Sequence, residues 1–263
     1  MSRRINLARR LIKMGALIQS LAVVVMKPGD LSEFSRQSYA SEQSVNDWSG
    51  ESCIASGLYA DELALLDSVP AKTGSLLLLG VGGGREAIPL ARMGFQVTGV
   101  DFVAGMVERA RQNAAQRGLQ IDGLVQNFVN LDVPGATYDI VLMSRAMYSC
   151  VPTRAQRVQM VTRIANALKP GGFFLCQYQS QAGAQPSRKT IAARRLFAAC
   201  TMGNLAYEPG DILLGNIEFI HEFSSDAAIQ SEIEEGGLRV VRFQPSPNRL
   251  RRGVVCEKSP VTG

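Results

Sequence analysis

Three glycines and one acid have the residue types and the spacing of a nucleotide pocket. Gly80, Gly82 and Gly84 follow the apolar run 76–79, and Asp101 ends a second, largely apolar run. Glycines let a backbone approach a ligand closely, and the free N–H groups at the start of a following helix can bind it. A carboxylate at the end of the second run can accept hydrogen bonds from ribose hydroxyls. The pattern predicts a nucleotide site at the carboxyl edge of a sheet.

The spacing of the glycines argues against a dinucleotide. The G-x-G-x-x-G fingerprint needs a glycine at position 85 or 87, where the chain has Arg85 and Ala87. The loop instead has the pattern G-x-G-x-G over residues 80–84, with Asp101 seventeen residues beyond the last glycine. The sequence therefore disfavours a nicotinamide-dependent dehydrogenase.

Four motifs in this order resemble those of the class I S-adenosylmethionine-dependent methyltransferases, over about residues 61–256. After the glycine loop with its acid, residues 126–128 resemble the adenine-binding turn, 138–142 the strand that follows it, and 168–175 a helix-to-strand corner. The resemblance implies a Rossmann-like α/β fold, methyltransferase activity and S-adenosylmethionine as the cofactor. It assigns the cofactor contacts to Gly80, Val81, Gly82, Gly84, Asp101, Phe102, Met106, Asn127, Phe128 and Ser144.

Two positions depart from the family pattern. Leu78 stands where the family usually has an acid that helps to hold the methionine end of the cofactor. Asn127 replaces the acid of the adenine turn, although its amide oxygen can still accept a hydrogen bond from an exocyclic amine. The loss of the acid at Leu78 motivates an alternative function, a binding module that kept the fold and lost methyl transfer.

Methyl transfer from a sulfonium mainly requires alignment of the reacting groups in a cleft that excludes water. A general base is needed only if the acceptor arrives protonated. Arg145 and Tyr148 follow the strand 138–143, and Tyr178 ends a later strand. His221 is the sole histidine and has a suitable pKa for a base. Each of these residues has a structural role as its alternative: an ion pair for Arg145, pocket lining for the tyrosines and a non-catalytic position for the histidine.

Alternating apolar runs and helical patterns predict the elements that hold these residues. Short connections between them imply a mostly parallel sheet with helices on both faces. The resemblance implies seven strands, of which the last is antiparallel. The predicted strands are 75–79, 96–100, 121–125, 138–143, 173–178, 239–243 and 254–257, and the predicted helices are 59–68, 85–93, 104–117, 154–168 and 225–235.

Three segments fall outside this alternation. Residues 1–26 have the spacing of a basic amphipathic helix, which either packs on the body as a lid or dimer contact, lies on an anionic membrane surface, or is disordered. Residues 27–58 are rich in serine and predict an irregular cover over the pocket. The domain 59–263 carries an insertion at about 180–215, which resembles the lid that methyltransferases place over a small-molecule acceptor.

Charge and cysteine content narrow the function classes. All five charged residues of 1–26 are basic, and the remaining chain has 23 basic and 23 acidic residues. This balance gives no support for an extended nucleic-acid surface. The five cysteines are widely scattered and there is one histidine, so we expect no disulfide framework, no metal site and a cytoplasmic location.

A small-molecule acceptor is therefore the preferred prediction, with RNA or protein as the alternative acceptor. Enzymes that methylate nucleobase nitrogens carry an Asn/Asp-Pro-Pro-Tyr signature after the fourth strand. This chain has Ser144, Arg145 and Ala146 there instead.

Overall fold

The computed structural model describes residues 3–181, 186–245 and 250–260. Its centre is a seven-stranded sheet that confirms the predicted fold class. The strands are β1 Gly74–Leu79, β2 Phe95–Asp101, β3 Asp122–Val125, β4 Tyr138–Met143, β5 Leu168–Gln179, β6 Asp211–Leu214, β7 Glu218–His221, β8 Arg239–Pro245 and β9 Arg251–Glu257. The helices are α1 Arg3–Gln19, α2 Ala22–Val25, α3 Pro28–Ala40, α4 Glu42–Ser49, α5 Glu51–Ala55, α6 Ala60–Asp67, α7 Ala87–Arg92, α8 Ala104–Ala115, α9 Arg154–Ala167, α10 Arg188–Thr201 and α11 Asp226–Glu235.

The order of the strands in the sheet is β3-β2-β1-β4-β5-β9-β8. Strands β1 to β5 pair in parallel, and β9 is antiparallel to both β5 and β8. The chain order reverses at β1, because β2 lies on one side of it and β4 on the other. Ligands of open α/β sheets bind at such a switch point, beyond the carboxyl ends of the strands.

Strand β1 shows why the central strands are apolar throughout. Its side chains alternate between the two faces of the sheet, so Leu77 and Leu79 join the core beneath α9 and α11, while Leu76 and Leu78 join the core beneath α6, α7 and α8. All four leucines are fully buried. A parallel strand with helices on both faces has no polar face, and this accounts for the unbroken leucine run.

Residues 27–58 are mostly helical and not irregular as expected, although several of them line the cavity described below. Pro28 is the first residue of α3, and Asp30 accepts a hydrogen bond from the N–H of Lys27 at 2.9 Å. Ser41 caps α4 by accepting from the N–H of Ser44. Serine hydroxyls at helix starts, or bonded to a carbonyl four residues earlier as in Ser35, are compatible with helices. The serine content had suggested coil.

Residues 3–25 form two helices, whereas one helix was predicted. Helix α1 has no buried residue, whereas Val23 and Val24 of α2 are fully buried. A third, smaller core joins this N-terminal region to the insertion: it contains Val23, Val24, Leu31, Ala198, Tyr207 and Phe219. In that insertion β6 and β7 form a separate two-stranded sheet, and residues 182–185 lie outside the described part.

Within the described ranges, no single helix is long and apolar enough to cross a membrane. One pair, residues 3–25 with Pro28–Ala40, meets the length and composition requirement together but is bent by 113°.

Candidate active site

A cavity of about 320 Å³ opens at the carboxyl ends of β1, β2 and β4. One wall comes from the loops that follow these strands, and the opposite wall from α3, α4, β7 and the turn after β4. We call them the cofactor wall and the acceptor wall. The cofactor wall contains Gly80, Val81, Gly82, Gly83, Arg85, Glu86, Asp101, Phe102, Met106, Asn127, Phe128, Val129, Ser144 and Arg145. The acceptor wall contains Ser32, Ser35, Tyr39, Trp48, Met147, Cys150, Val151, Pro152 and Glu218.

Asp101 is held rigidly at the end of β2. Its two carboxylate oxygens accept hydrogen bonds from the N–H groups of Gly82, at 3.1 Å, and Val103, at 3.0 Å. Burial raises the pKa of Asp101, and the backbone N–H groups that it accepts from oppose this rise. Gly82 has φ of +50°, and a Cβ at this position would meet no atom within 4 Å. The loop therefore turns an open backbone edge and a fixed carboxylate toward the cavity.

Two aromatic rings flank the part of the cavity beyond Asp101. The rings of Phe102 and Phe128 stack with their centroids 6.5 Å apart, and Met106 lies beside them in the lining. Asn127 uses its side-chain oxygen to accept from the N–H of Val129 at 2.9 Å. An amide oxygen has a second lone pair, so Asn127 can also bind a ligand. This apolar slot with one amide suits a flat heterocycle that carries an amine.

A buried cluster of charges lies where the glycine loop meets α7. Arg85 donates to both oxygens of Glu62, at 2.9 and 2.7 Å, and also contacts Glu86. Burial alone would lower the pKa of Arg85, but these two acids raise it above its usual value. Glu86 also accepts from the hydroxyl of Ser144 at 2.6 Å, and burial raises the pKa of Glu86. Two buried carboxylates thus share one guanidinium.

Glu86 supplies an acid in the cavity wall that sequence reasoning did not select. Leu78, at the position of the missing family acid, points into the core beneath α6, α7 and α8 and does not line the cavity. Glu86 lies in the cavity wall next to Ser144 at the end of β4. The sequence contained a signal for this residue, because Glu86 is the second residue after the last glycine of the loop. A side chain so close in sequence to a ligand-binding loop is a candidate for contact with the ligand.

The acceptor wall carries a second carboxylate, Glu218, at the start of β7. One of its oxygens, Oε2, accepts from the hydroxyl of Tyr39 at 2.8 Å and from the thiol of Cys150 at 3.8 Å. Burial raises the pKa of Glu218. Burial also raises the pKa values of Tyr39 and Cys150, and Glu218 adds to both shifts, so these neighbours remain protonated donors at neutral pH.

Of the four candidates Arg145, Tyr148, Tyr178 and His221, Arg145 lines the cavity. It has φ of +57°, and its N–H donates to the side-chain oxygen of Gln177 at 2.8 Å. Its guanidinium carbon lies 5.1 Å from the centroid of the Tyr59 ring. Arg85 lies 4.4 Å from the same centroid, so Tyr59 packs against both cations.

Tyr148 and His221 do not line the cavity. Tyr148 is fully buried, and its hydroxyl donates to Glu232 at 3.1 Å. His221 is 7% exposed and bonds Asp211 through Nδ1 at 2.8 Å. Tyr178 bonds Asp226 and is likewise absent from the lining. Each of these buried side chains therefore already has a hydrogen-bond partner, as is usual for buried polar groups.

Gly84 is also absent from the lining. A Cβ at this position would lie 3.3 Å from the Cα of Ala110, so the glycine permits close packing against α8. The other nine predicted cofactor residues all line the cavity.

One group of side chains has the ligand types of a metal site: Glu208, Asp211 and His221. Arg157 donates to Glu208 at 2.8 Å and compensates its charge. Asp211 already accepts from His221 and from the N–H of Glu208. These bonds account for the cluster as a structural network.

Comparisons with known proteins agree with this geometry. The family described as "Methyltransferase domain" matches residues 76–172, which span β1 to the start of β5. A ubiquinone biosynthesis O-methyltransferase from Maricaulis maris is 28% identical over 73% of this chain and 72% of its own length. A second ubiquinone biosynthesis O-methyltransferase, from Paramagnetospirillum magneticum, is 41% identical over 38% of this chain and 39% of its own length.

The fold is similar to solved structures over a larger part of the chain. A SAM-dependent methyltransferase from Methanosarcina mazei superposes with a TM-score of 0.60 at 20% identity, covering 78% of this chain and 99% of that one.

Proposed function

Because this chain belongs to the class I S-adenosylmethionine-dependent methyltransferases, we propose that it methylates a hydroxyl group of a small, largely apolar molecule. The observation that carries this proposal is a single cavity with a polar cofactor wall and a mainly apolar acceptor wall.

The cofactor wall fits S-adenosylmethionine on its own chemistry. Asp101 is a fixed carboxylate suited to ribose hydroxyls, and the slot at Phe102, Asn127 and Phe128 is suited to adenine. Glu86 lies in this wall beside Ser144, and its carboxyl group suits the ammonium of the methionine end. When bound, the cofactor supplies an electrophilic methyl group, and the residues of this chain orient it and exclude water.

The acceptor wall indicates the class of substrate. Trp48, Met147, Val151 and Pro152 give it an apolar surface, and Glu218 gives it an acceptor for one polar hydrogen. An apolar pocket with few polar groups selects a hydrophobic molecule and orients it through its hydroxyl. The O-methyltransferase names of the relatives support oxygen as the methylated atom.

Charge supports a small molecule over RNA. The chain beyond residue 26 has equal numbers of acidic and basic residues, so it lacks the net positive charge that favours contact with phosphates.

The test is a methylation assay with S-adenosylmethionine and hydroxybenzenes and dihydroxybenzenes that bear alkyl chains of increasing length. We expect products that have gained the mass of one methyl group, with kcat/KM rising with chain length. Methylation of RNA or protein but of none of these compounds would refute the proposal. Binding of S-adenosylhomocysteine without turnover of any acceptor would favour the binding module.

We also propose that α1 contacts an anionic membrane surface of the cytoplasm. Its five basic residues are accompanied by no acid, and Leu7, Leu11, Met14 and Ile18 lie at helical spacing while each is more than half exposed. A helix with basic residues and an exposed apolar stripe binds anionic interfaces through both features. The five free thiols support a reducing compartment.

Flotation with vesicles tests this proposal on the full-length chain. Replacement of Leu7, Leu11 and Ile18 by Gln is expected to abolish flotation with phosphatidylglycerol-containing vesicles. Truncation at residue 27 is unsuitable, because it removes Val23 and Val24 from a core. Unchanged flotation of the variant would refute the membrane contact. A dimeric wild-type protein together with a monomeric variant would favour the dimer contact.

A further inference from the structure

Glu218 is a partly buried carboxylate that has no ion pair within the described residues. Its Oε2 atom accepts from Tyr39 and Cys150, which are both neutral donors, and its Oε1 atom has no hydrogen-bond partner there. Removing a carboxylate from water without an ion pair is costly, and Arg145 offsets this charge only from beyond ion-pair distance. Such a group is retained in a cavity wall when a ligand supplies the missing partner.

The position of Glu218 depends on two contacts between α3 and β7. The hydroxyl of Ser35 accepts the N–H of Phe219 at 2.9 Å, and Tyr39, one helical turn later, bonds the Glu218 carboxylate. Both residues lie on the same side of α3. The helix therefore fixes the backbone of β7 and the side chain of Glu218 together, so that the carboxylate is held in the cavity wall.

The surroundings of Glu218 differ from those of the other acids in the cavity. Glu86 is bonded by Arg85 and Ser144, and Asp101 accepts from backbone N–H groups through both oxygens. Neither has an environment suited to accepting a proton from an acceptor. The titratable and charged groups that face Glu218 are Tyr39 from α3, Cys150 from the turn after β4, and Arg145.

We propose that Glu218 is the general base that receives the proton of the acceptor hydroxyl. This proposal rests on the proposed function. The O–H bond of the acceptor breaks, and its proton passes to the Glu218 carboxylate. An oxygen lone pair forms the new bond to the methyl carbon. The electrons of the broken carbon–sulfur bond stay on sulfur, which becomes neutral, and the proton later leaves Glu218 for solvent.

Tyr39 and Cys150 act as positioning residues in this arrangement. They occupy Oε2 as donors, which leaves Oε1 for the acceptor hydroxyl. Burial raises the pKa of Glu218. This brings it closer to the pKa of the acceptor hydroxyl whose proton it receives.

The test compares Glu218→Gln with Glu222→Gln in the full-length enzyme. Glu222 is also partly buried and follows the same strand, but it does not line the cavity. With the best alkyl-substituted phenol of the panel, Glu218→Gln is expected to lower kcat at least about 100-fold, and Glu222→Gln to leave it within about twofold. Affinity for S-adenosylhomocysteine is expected to stay unchanged in both.

A nitro-substituted analogue of the same acceptor provides the decisive second measurement. Its hydroxyl is already ionised at the assay pH, so no base is required. Glu218→Gln is therefore expected to methylate this analogue at nearly the wild-type rate. The wild-type kcat for the unsubstituted acceptor is expected to rise with pH through the pKa of Glu218, and this acidic limb is expected to be absent in Glu218→Gln.

The outcomes separate the base role from the proposed function. Normal turnover of the unsubstituted phenol by Glu218→Gln, or an equal loss with both acceptors, would overturn the base role alone. Failure of the wild-type enzyme to methylate any compound of the panel would refute the proposed function and the base role with it. If Glu218→Gln loses affinity for S-adenosylhomocysteine, Glu218→Asp replaces it: a retained acidic limb with reduced kcat supports the base, and a missing limb overturns it.

Discussion

The cofactor wall and the acceptor wall differ in how far apart their residues lie in the chain. The cofactor wall is built from residues 80–145, mostly in the loops after β1, β2, β3 and β4. The acceptor wall combines residues 32–48, which precede the sheet, residues 147–152 from the turn after β4, and Glu218 of β7. Parallel strands bring the first set together wherever this fold forms, whereas the second set depends on packing between α3 and β7. We therefore expect cofactor binding and acceptor turnover to respond separately to substitution.

The two walls meet at Gly83. A Cβ there would lie 2.4 Å from the Cα of Ser49 and 2.5 Å from the carbonyl oxygen of Trp48. Asn113 of α8 reinforces this junction, because its side-chain amide donates to the carbonyls of both Ser49 and Gly83, at 3.0 and 2.9 Å. At this junction one change affects both walls.

Gly83→Ala is expected to have the largest effect. The new methyl group must push α4 away from the glycine loop, which should cost about 1–3 kcal/mol of unfolding free energy and lower both cofactor affinity and turnover. Thermal unfolding and titration with S-adenosylhomocysteine measure these effects. Gly105→Ala is the matched control, because its Cβ would meet Val45 of α4 at an ordinary 3.5 Å. Equal unfolding free energies, cofactor affinities and turnover rates for the two variants would show that the walls are not joined at Gly83.

Asp101→Asn is expected to weaken only the cofactor wall. It removes the negative charge and replaces one of the two carboxylate oxygens by an NH2 group. The N–H of Gly82 or Val103 then loses its acceptor, and the ribose hydroxyls lose a charged acceptor. Affinity for S-adenosylhomocysteine should fall by about 1–3 kcal/mol, roughly 10- to 100-fold, in a calorimetric titration. Asp132→Asn, at an exposed acid on the same sheet edge, is the control. An unchanged dissociation constant for Asp101→Asn would remove this residue from the site.

Tyr39→Phe is expected to weaken only the acceptor wall, by a smaller amount. Loss of the 2.8 Å bond to Glu218 removes a donor that stabilises the carboxylate, so the pKa of Glu218 rises further and the acidic limb of kcat moves to higher pH. At neutral pH kcat should fall several-fold, about 0.5–1.5 kcal/mol, with cofactor affinity unchanged.

Tyr138→Phe is the matched control for this prediction. Tyr138 is buried, and within the described ranges its hydroxyl has no hydrogen-bond partner. A pH profile of Tyr39→Phe that coincides with that of the wild-type enzyme would contradict the coupling between Tyr39 and Glu218.

Asp139→Asn tests a site outside both walls and is expected to have the smallest effect. Burial alone would raise the pKa of Asp139, but Lys169 and Ser75 lower it below its usual value. The ionised form therefore adds stability above the usual carboxyl pKa, and this contribution is lost as pH falls through the lowered pKa. Urea unfolding should show a loss of about 1 kcal/mol or less at pH 7, because the pair with Lys169 is partly exposed. A change in cofactor affinity would show that this ion pair, although it lies outside both walls, affects cofactor binding.

The helices of residues 27–58 and the surroundings of His221 show features that the sequence pattern does not reveal. The serines of 27–58 were interpreted as coil, whereas Ser41 caps a helix and Ser35 supports β7. His221 was selected for its usual pKa, but Asp211, ten residues away, occupies its Nδ1 atom. Glu218, three residues before it, lines the cavity. The sequence of a strand shows that its side chains alternate between two faces. It does not show which face lines the cavity, because that depends on the element that packs on the strand.

The sequence by itself determined the sheet and the cofactor wall, because its glycines, its apolar runs and Asp101 act through local geometry and through strands that pair in parallel. The resemblance of its motifs to those of a known family also implied a cofactor with an adenosyl group at this edge. Only the tertiary structure decided which acid faces the acceptor, because that depends on the contacts of Ser35 and Tyr39 with β7, nearly 180 residues further along the chain. Such long-range contacts leave no periodic signal in the sequence.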